Sequence, residues 1–284
     1  MFNYKILFSL VKTTICFLIL FSLCSSCAFV PIKRSKDISY TSGQTLNVFA
    51  PRNSKNKKPV LVHFYGGNWT SGKKELYNFF GSRWARKGVV TVIPDYPKSP
   101  EADYRKMTMD AATAIKWVKE HIHLYGGDSN RIFVSGHSAG GQLAALSVID
   151  TFYFQQLNFP NPVKGLILID PAGLDMYRYM NEVDHGPDGS YLHIFTEDSS
   201  SWKKASAIFQ LHRRMPPMLI YTGERTHYTI SIGAQRFVQK ARNYDTSIQY
   251  KIIKRRKHIP MITQFFNTAN PLYKQIKDFM KKQE

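Results

Sequence analysis

Residues 131–149 read RIFVSGHSAGGQLAALSVI, and this stretch decides the fold. Arg131 to Ser135 is a short apolar run with β-branched and aromatic residues, the composition of a buried strand. Ala139 to Ile149 is an apolar run rich in helix formers. Between them Gly136-His137-Ser138-Ala139-Gly140-Gly141 must turn the chain sharply. A serine on a tight strand-to-helix turn projects its oxygen clear of a sheet, and flanking glycines permit the strained turn and close helix packing. The helix start supplies backbone N–H groups and a positive dipole end for a developing anion. Ser138 is therefore the candidate nucleophile.

Outward from this turn, strands and helices alternate. Thr45 to Phe49, Pro59 to Tyr65, Gly88 to Ile93, Val163 to Ile169, Met218 to Tyr221 and Ser247 to Ile253 read as strands, several of them continuous apolar runs. Lys73 to Arg86, Asp103 to Leu124, Ile230 to Arg242 and Leu272 to Lys281 read as helices; in the second, Met107, Ala111, Ala114, Ile115 and Val118 recur at helical spacing. Such alternation predicts an α/β fold, a mostly parallel sheet with helices on both faces. Residues 172–215 break the rhythm and read as a lid-like insertion within a domain spanning 43–284.

A serine hydroxyl is a weak nucleophile and needs a base. Of nine histidines, His258 follows the last strand and precedes the last helix, and is the candidate base. His137, inside the turn, is expected to point away from the cleft, and His63 lies within a buried strand. Asp95 and Asp110 read as structural, and Asp128 as an anchor of the loop before the Ser138 strand.

These pieces resemble the α/β-hydrolase superfamily, nearest to bacterial carboxylesterase and acetyl- or feruloyl-esterase-like families and the related formamidases. The resemblance runs from about Val60 to the C-terminus, through Tyr65-Gly66-Gly67-Asn68-Trp69, Pro94-Asp95-Tyr96, Ala114 to Trp117, Gly127-Asp128-Ser129-Asn130-Arg131-Ile132, the serine turn, Pro216-Pro217 and His258. It implies an α/β-hydrolase fold and acyl transfer to water. The family's oxyanion loop reads His-Gly-Gly-x-Trp, and here Tyr65 replaces the histidine. The resemblance assigns the N–H groups of Gly67, Asn68 and Ala139 to the oxyanion hole. It also expects an acid where Thr226 stands. Two carboxylates are substitutes: Asp170, in Ile169-Asp170-Pro171-Ala172, which resembles the Asp-Pro-Ala of pancreatic-type lipases, and Glu224. Asp170 is preferred, because a charge ending a buried strand is costly without a partner. Asp175 is a weaker candidate.

The implied substrate is an ester of a short acyl or aromatic acid, including one carried on carbohydrate. An arylformamidase-like amidase and an inactive surface binding protein on the same scaffold are the alternatives. No cofactor or metal is expected: the sequence has no His-Glu-x-x-His, dinucleotide or Walker motif.

The net charge is +19, with positive residues spread along the chain and a run at Lys254-Arg255-Arg256-Lys257. Without a zinc-finger or RNP-type pattern, this argues for attraction to anionic polymers or lipid head groups, not for nucleic-acid recognition. The first residues form a leader over 1–27: Lys5 and Lys12, an apolar stretch from Thr13 to Leu23, then Ser25-Ser26. All three cysteines, Cys16, Cys24 and Cys27, lie there. Ser25-Ser26-Cys27 resembles a bacterial lipobox, although Cys24 stands where leucine is usual. Lipidation at Cys27 and an exported, membrane-anchored protein are expected, with a polar linker over 28–42.

Overall fold

The apolar runs become the middle of a sheet. In the computed structural model, which describes residues 31–52, 56–182, 189–244 and 247–283, eight strands form one sheet in the order β1-β2-β4-β3-β5-β6-β7-β8. They are β1 (Ile32–Thr41), β2 (Gln44–Pro51), β3 (Lys58–Phe64), β4 (Val90–Pro94), β5 (Gly127–Ser138), β6 (Val163–Pro171), β7 (Met218–Gly223) and β8 (Ile248–Ile253). The pairs from β4 to β8 are parallel, while β1 with β2 and β2 with β4 are antiparallel. Residues 32–284 form one unit.

The helices are α1 (Asn78–Arg86), α2 (Tyr104–His121), α3 (Ala139–Ile149), α4 (Thr151–Gln156), α5 (Met176–Glu182), α6 (Ser190–Phe195), α7 (Ser199–Lys204), α8 (Tyr228–Ala241), α9 (His258–Thr263) and α10 (Pro271–Lys281). Two apolar cores lie against the sheet: one holds Val62, Val134 and Leu143, the other Leu61, Phe133 and Phe279. Neighbouring residues of β3 and of β5 thus enter different cores, as period-two alternation requires. Every residue of α3 is buried, which explains its apolar sequence without a polar face.

Residues 32–41 are a strand, not the expected linker. Lys33, Arg34 and Lys36 give β1 its polar look, and all three are exposed because it is an edge strand, where charges discourage further pairing. Tyr40 is buried and its hydroxyl donates to the Asp95 carbonyl at 2.6 Å. The expected helix at 73–86 opens with a 3-10 turn, Lys74–Tyr77. Within the insertion, Met176, Met180, Ile194, Phe195 and Trp202 join the first core, so its described part is a packed roof. The expected leader, including Cys27, and Gly186-Pro187-Asp188 lie outside the described residues.

Candidate active site

Parallel strands deliver their C-terminal ends to one edge of the sheet, where open α/β sheets bind ligands. Ser138 ends β5 with φ 54° and ψ −125°, a left-handed conformation that a non-glycine residue adopts only when its surroundings enforce it. The enforcement is close packing: a Cβ on Gly140 would lie 2.3 Å from the carbonyl oxygens of Phe64 and Tyr65. On the neighbouring strand Asp170 also has a left-handed φ, of 49°. The Ala172 N–H donates to the Ser138 carbonyl at 3.0 Å, so the strands that carry Ser138 and Asp170 are locked together.

His258 opens α9. Its Nε2 is 2.8 Å from Ser138 Oγ and its Nδ1 is 2.6 Å from Asp170 Oδ2. A carboxylate only accepts, so Nδ1 carries the hydrogen and Nε2 is left as acceptor for the serine O–H. Asp170 is fully buried. It also accepts from the Gly223 N–H at 2.8 Å and from the Thr226 hydroxyl at 2.5 Å. With His258 Nδ1 these donors occupy both carboxylate oxygens, so the buried side chain leaves neither oxygen without a partner. Thr226 thus stands where an acid was expected and donates to Asp170, the candidate acid one strand away.

Glu224 is placed differently. Its Oε2 accepts the Arg255 N–H at 2.7 Å, while the Arg225 N–H donates to the Arg256 carbonyl at 2.9 Å. These bonds tie the loop after β7 to the loop that carries His258. Asp175 receives Arg236 Nε at 3.0 Å and the Arg178 N–H at 3.3 Å. Asp95 holds the Tyr65 hydroxyl and Lys74, Asp110 pairs with Lys106, and Asp128 accepts the Asn130 N–H.

His137 does not point away from the cleft. It lines the cleft, and its ring stacks on His258 with centroids 4.9 Å apart. Burial, reinforced by the nearby His258, pushes it down to about 3, so it stays neutral and does not compete for the proton. His63 is likewise pushed down to about 3 by burial, with Nδ1 2.7 Å from Ser135 Oγ.

Gly67 and Asn68 line the cleft beside Ser138. Among the described residues no protein acceptor takes their N–H groups. A Cβ on Gly67 would lie 2.1 Å from the Ser71 carbonyl oxygen, at a φ of 151°, which only glycine tolerates. The Gly66 N–H is occupied by the Tyr77 hydroxyl at 3.2 Å. Asn68 and Trp69 are left-handed and held from outside. Tyr191 of the roof donates to Asn68 Oδ1 at 2.8 Å, and Trp69 Nε1 donates to Gln142 Oε1 at 2.7 Å. Tyr65 is buried, stacked on Tyr96, and anchors the loop's beginning. Ala139, the first residue of α3, is buried and is not part of the cleft lining. The cleft holds about 530 Å³, with Trp69, Met176, Tyr179, Tyr191, His227 and Ile259 among its walls. Among the described residues no cluster of three or more His, Cys, Asp or Glu side chains is arranged to hold a metal.

Sequence reasoning left three contributors aside: Thr226 as a donor to Asp170, Tyr77 on Gly66, and Tyr191 on Asn68. Thr226 alone carried a signal, since it occupies the position where the resemblance expects the acid.

Sheet order, serine turn and roof together define an α/β-hydrolase fold. The chain belongs to the BD-FAE family, whose model matches residues 46–231. It is 30% identical over 212 residues to esterase LipC of Mycobacterium tuberculosis, covering 70% of this chain and 52% of that one. It is 25% identical over 233 residues to a probable isoprenylcysteine alpha-carbonyl methylesterase of Arabidopsis thaliana, covering 77% and 49%. The chain thus spans about half the length of these curated relatives. Among solved structures, esterase B of Lactobacillus rhamnosis, inhibited in the crystal, superposes with a TM-score of 0.75 at 16% identity, covering 99% of this chain and 96% of that one. A truncated carbohydrate esterase from gut microbiota gives 0.74 at 19%, covering 88% and 96%.

Proposed function

We propose that this chain is a serine carboxylesterase that works through an acyl-enzyme, with Ser138 as nucleophile, His258 as base and Asp170 as orienting acid. The observation that carries this is the unbroken chain of contacts from Ser138 Oγ to His258 Nε2 and from His258 Nδ1 to Asp170 Oδ2. Ser138 Oγ attacks the ester carbonyl and its proton passes to His258 Nε2. Asp170 stabilises the imidazolium that forms. The N–H groups of Gly67 and Asn68 hold the oxyanion from the cleft wall, and the N–H of Ala139, next to Ser138 at the start of α3, is the third donor although its side chain lies outside the cleft lining. His258 then gives the proton to the departing alkoxide, and water repeats the sequence to release the acid. The aromatic walls and bounded volume suit a short acyl or aromatic acid, including one carried on carbohydrate.

The inactive-scaffold reading rested on Thr226 standing where an aspartate was expected, and Asp170 at His258 Nδ1 takes that support away. An arylformamidase would use the same groups; relative turnover of an aryl formamide and an acetyl ester separates it. The direct test is a fluorophosphonate probe. It should label the wild-type protein at Ser138, and Ser138→Ala should lose both labelling and several orders of magnitude of turnover on p-nitrophenyl acetate. An unlabelled, correctly folded wild-type protein overturns the proposal. The expectation of a membrane-anchored exported lipoprotein rests on the sequence at Ser25-Ser26-Cys27. Intact mass of the mature protein should give an acylated N-terminal Cys27, and an unlipidated chain beginning beyond it rejects this.

A further inference from the structure

Arg225 follows β7, and Lys254, Arg255, Arg256 and Lys257 follow β8. Both loops leave the C-terminal edge of the sheet, the edge on which the cleft opens, and Lys257 directly precedes His258. The backbone bond from Arg225 to Arg256 brings the two loops together. All five cationic residues are exposed. Among the described residues none of these side chains enters an ion pair. Glu224, beside them, accepts a backbone N–H from Arg255. Like charges gathered this closely repel one another, and an external anion relieves that repulsion.

Large apolar side chains lie around the same rim. Tyr228 is 72% exposed, Ile259 59% and Phe266 53%. Ile259 follows His258 and lines the cleft, and Tyr228 opens α8 just beyond His227. Phe266 stacks on Phe79 at 3.8 Å, and Phe79 stacks in turn on Tyr77 of the cleft wall. A soluble polyanion would use the cations alone. Exposed aromatic and aliphatic side chains interleaved with cations match the boundary between head groups and acyl chains of an anionic bilayer.

We propose that the His258 side of the cleft mouth docks on an anionic lipid surface. The docking stands independently of the catalytic reading. Its consequence, that the cleft meets esters held in or on that surface, rests on it.

The test measures sedimentation of the full chain with phosphatidylcholine vesicles, with and without about one-third phosphatidylglycerol, with soluble heparin as the polyanion comparison. The wild-type chain should prefer the anionic vesicles. Arg225→Gln/Lys254→Gln/Arg256→Gln should reduce that preference by roughly 100-fold, as expected for three basic side chains near an anionic surface. Tyr228→Ser/Phe266→Ser should weaken vesicle binding about tenfold and leave heparin binding unchanged. Both variants should hydrolyse a soluble ester as the wild type does. A preference that survives the glutamine substitutions overturns the proposal, because the N-terminal segment would then carry the binding. Vesicle binding indifferent to the serine substitutions, alongside tight heparin binding, overturns it in favour of a polyanion. Absence of turnover in the wild type would count against the hydrolase reading alone, since the docking is read by sedimentation.

Discussion

Asp170→Asn tests the site at its most buried point. Asp170 accepts three hydrogen bonds: the Gly223 N–H on Oδ1, and the Thr226 hydroxyl and His258 Nδ1–H on Oδ2. In the variant the amide oxygen stays on the Gly223 N–H, which puts the NH2 group towards Thr226 and His258. The threonine hydroxyl can turn and accept, so the fold keeps its bonds. His258 Nδ1 must now accept as well, which moves the imidazole hydrogen to Nε2. There it faces Ser138 Oγ, and the ring is no longer a base. The expected loss is about 10⁴-fold in kcat, or about 5 kcal/mol of transition-state stabilisation. Turnover of p-nitrophenyl acetate, with a thermal melt to confirm folding, measures it. Thr226→Asp added to this variant should recover about tenfold or more, since Thr226 Oγ1 lies 2.5 Å from the oxygen that His258 uses. A folded Asp170→Asn protein retaining a tenth of parental kcat, on the order of a 1.4 kcal/mol change, refutes the reasoning.

Glu224→Gln should keep turnover within about threefold, because an amide oxygen still accepts the Arg255 N–H; steady-state kinetics decides this, and a loss as deep as that of Asp170→Asn would make Glu224 the acid. Tyr77→Phe removes the hydroxyl that receives the Gly66 N–H and should lower kcat about tenfold with KM unchanged, as a loosened oxyanion loop requires. His63 and His137 are both held near 3 by burial, below the ordinary histidine value of about 6.5. Above that value neither the folded nor the unfolded chain protonates them, so they leave stability unaffected. Below it the unfolded chain takes protons that the folded one refuses. Stability should therefore fall as pH falls towards about 3, by up to about 1.4 kcal/mol per pH unit for each ring. Melting temperatures that stay level between about pH 6.5 and 4 would contradict this burial.

The central sheet was legible because β3, β6, β7 and residues 132–134 of β5 are apolar runs buried on both faces, a pattern that needs no partner to be recognised. The strand β1 was not, since an edge strand satisfies its polar residues with water and reads as linker. The placing of Ser138 and His258 followed from chain order around the strands. The candidate acids were only ranked by sequence, since which of Asp170 and Glu224 meets His258 depends on where two side chains turn at the ends of adjacent strands. The position of His137 was misread because its neighbour His258 lies 121 residues away in the chain. Contacts of the roof, such as Tyr191 with Asn68, are equally non-local.

Ser138 and Asp170 sit at the ends of interior strands, but His258 hangs from β8, the terminal strand of the sheet, which pairs with β7 alone and has no fully buried residue. Segments of that kind open at lower free energy than the protein as a whole. The three groups therefore do not share one fate on heating. As β8 and its loop detach, the imidazole departs while the hydroxyl and the carboxylate stay in register on their own ladder. Turnover of a soluble ester should therefore fall reversibly below the unfolding transition and return on cooling, with the fraying of one peripheral ribbon, not the cohesion of the interior, setting the working temperature.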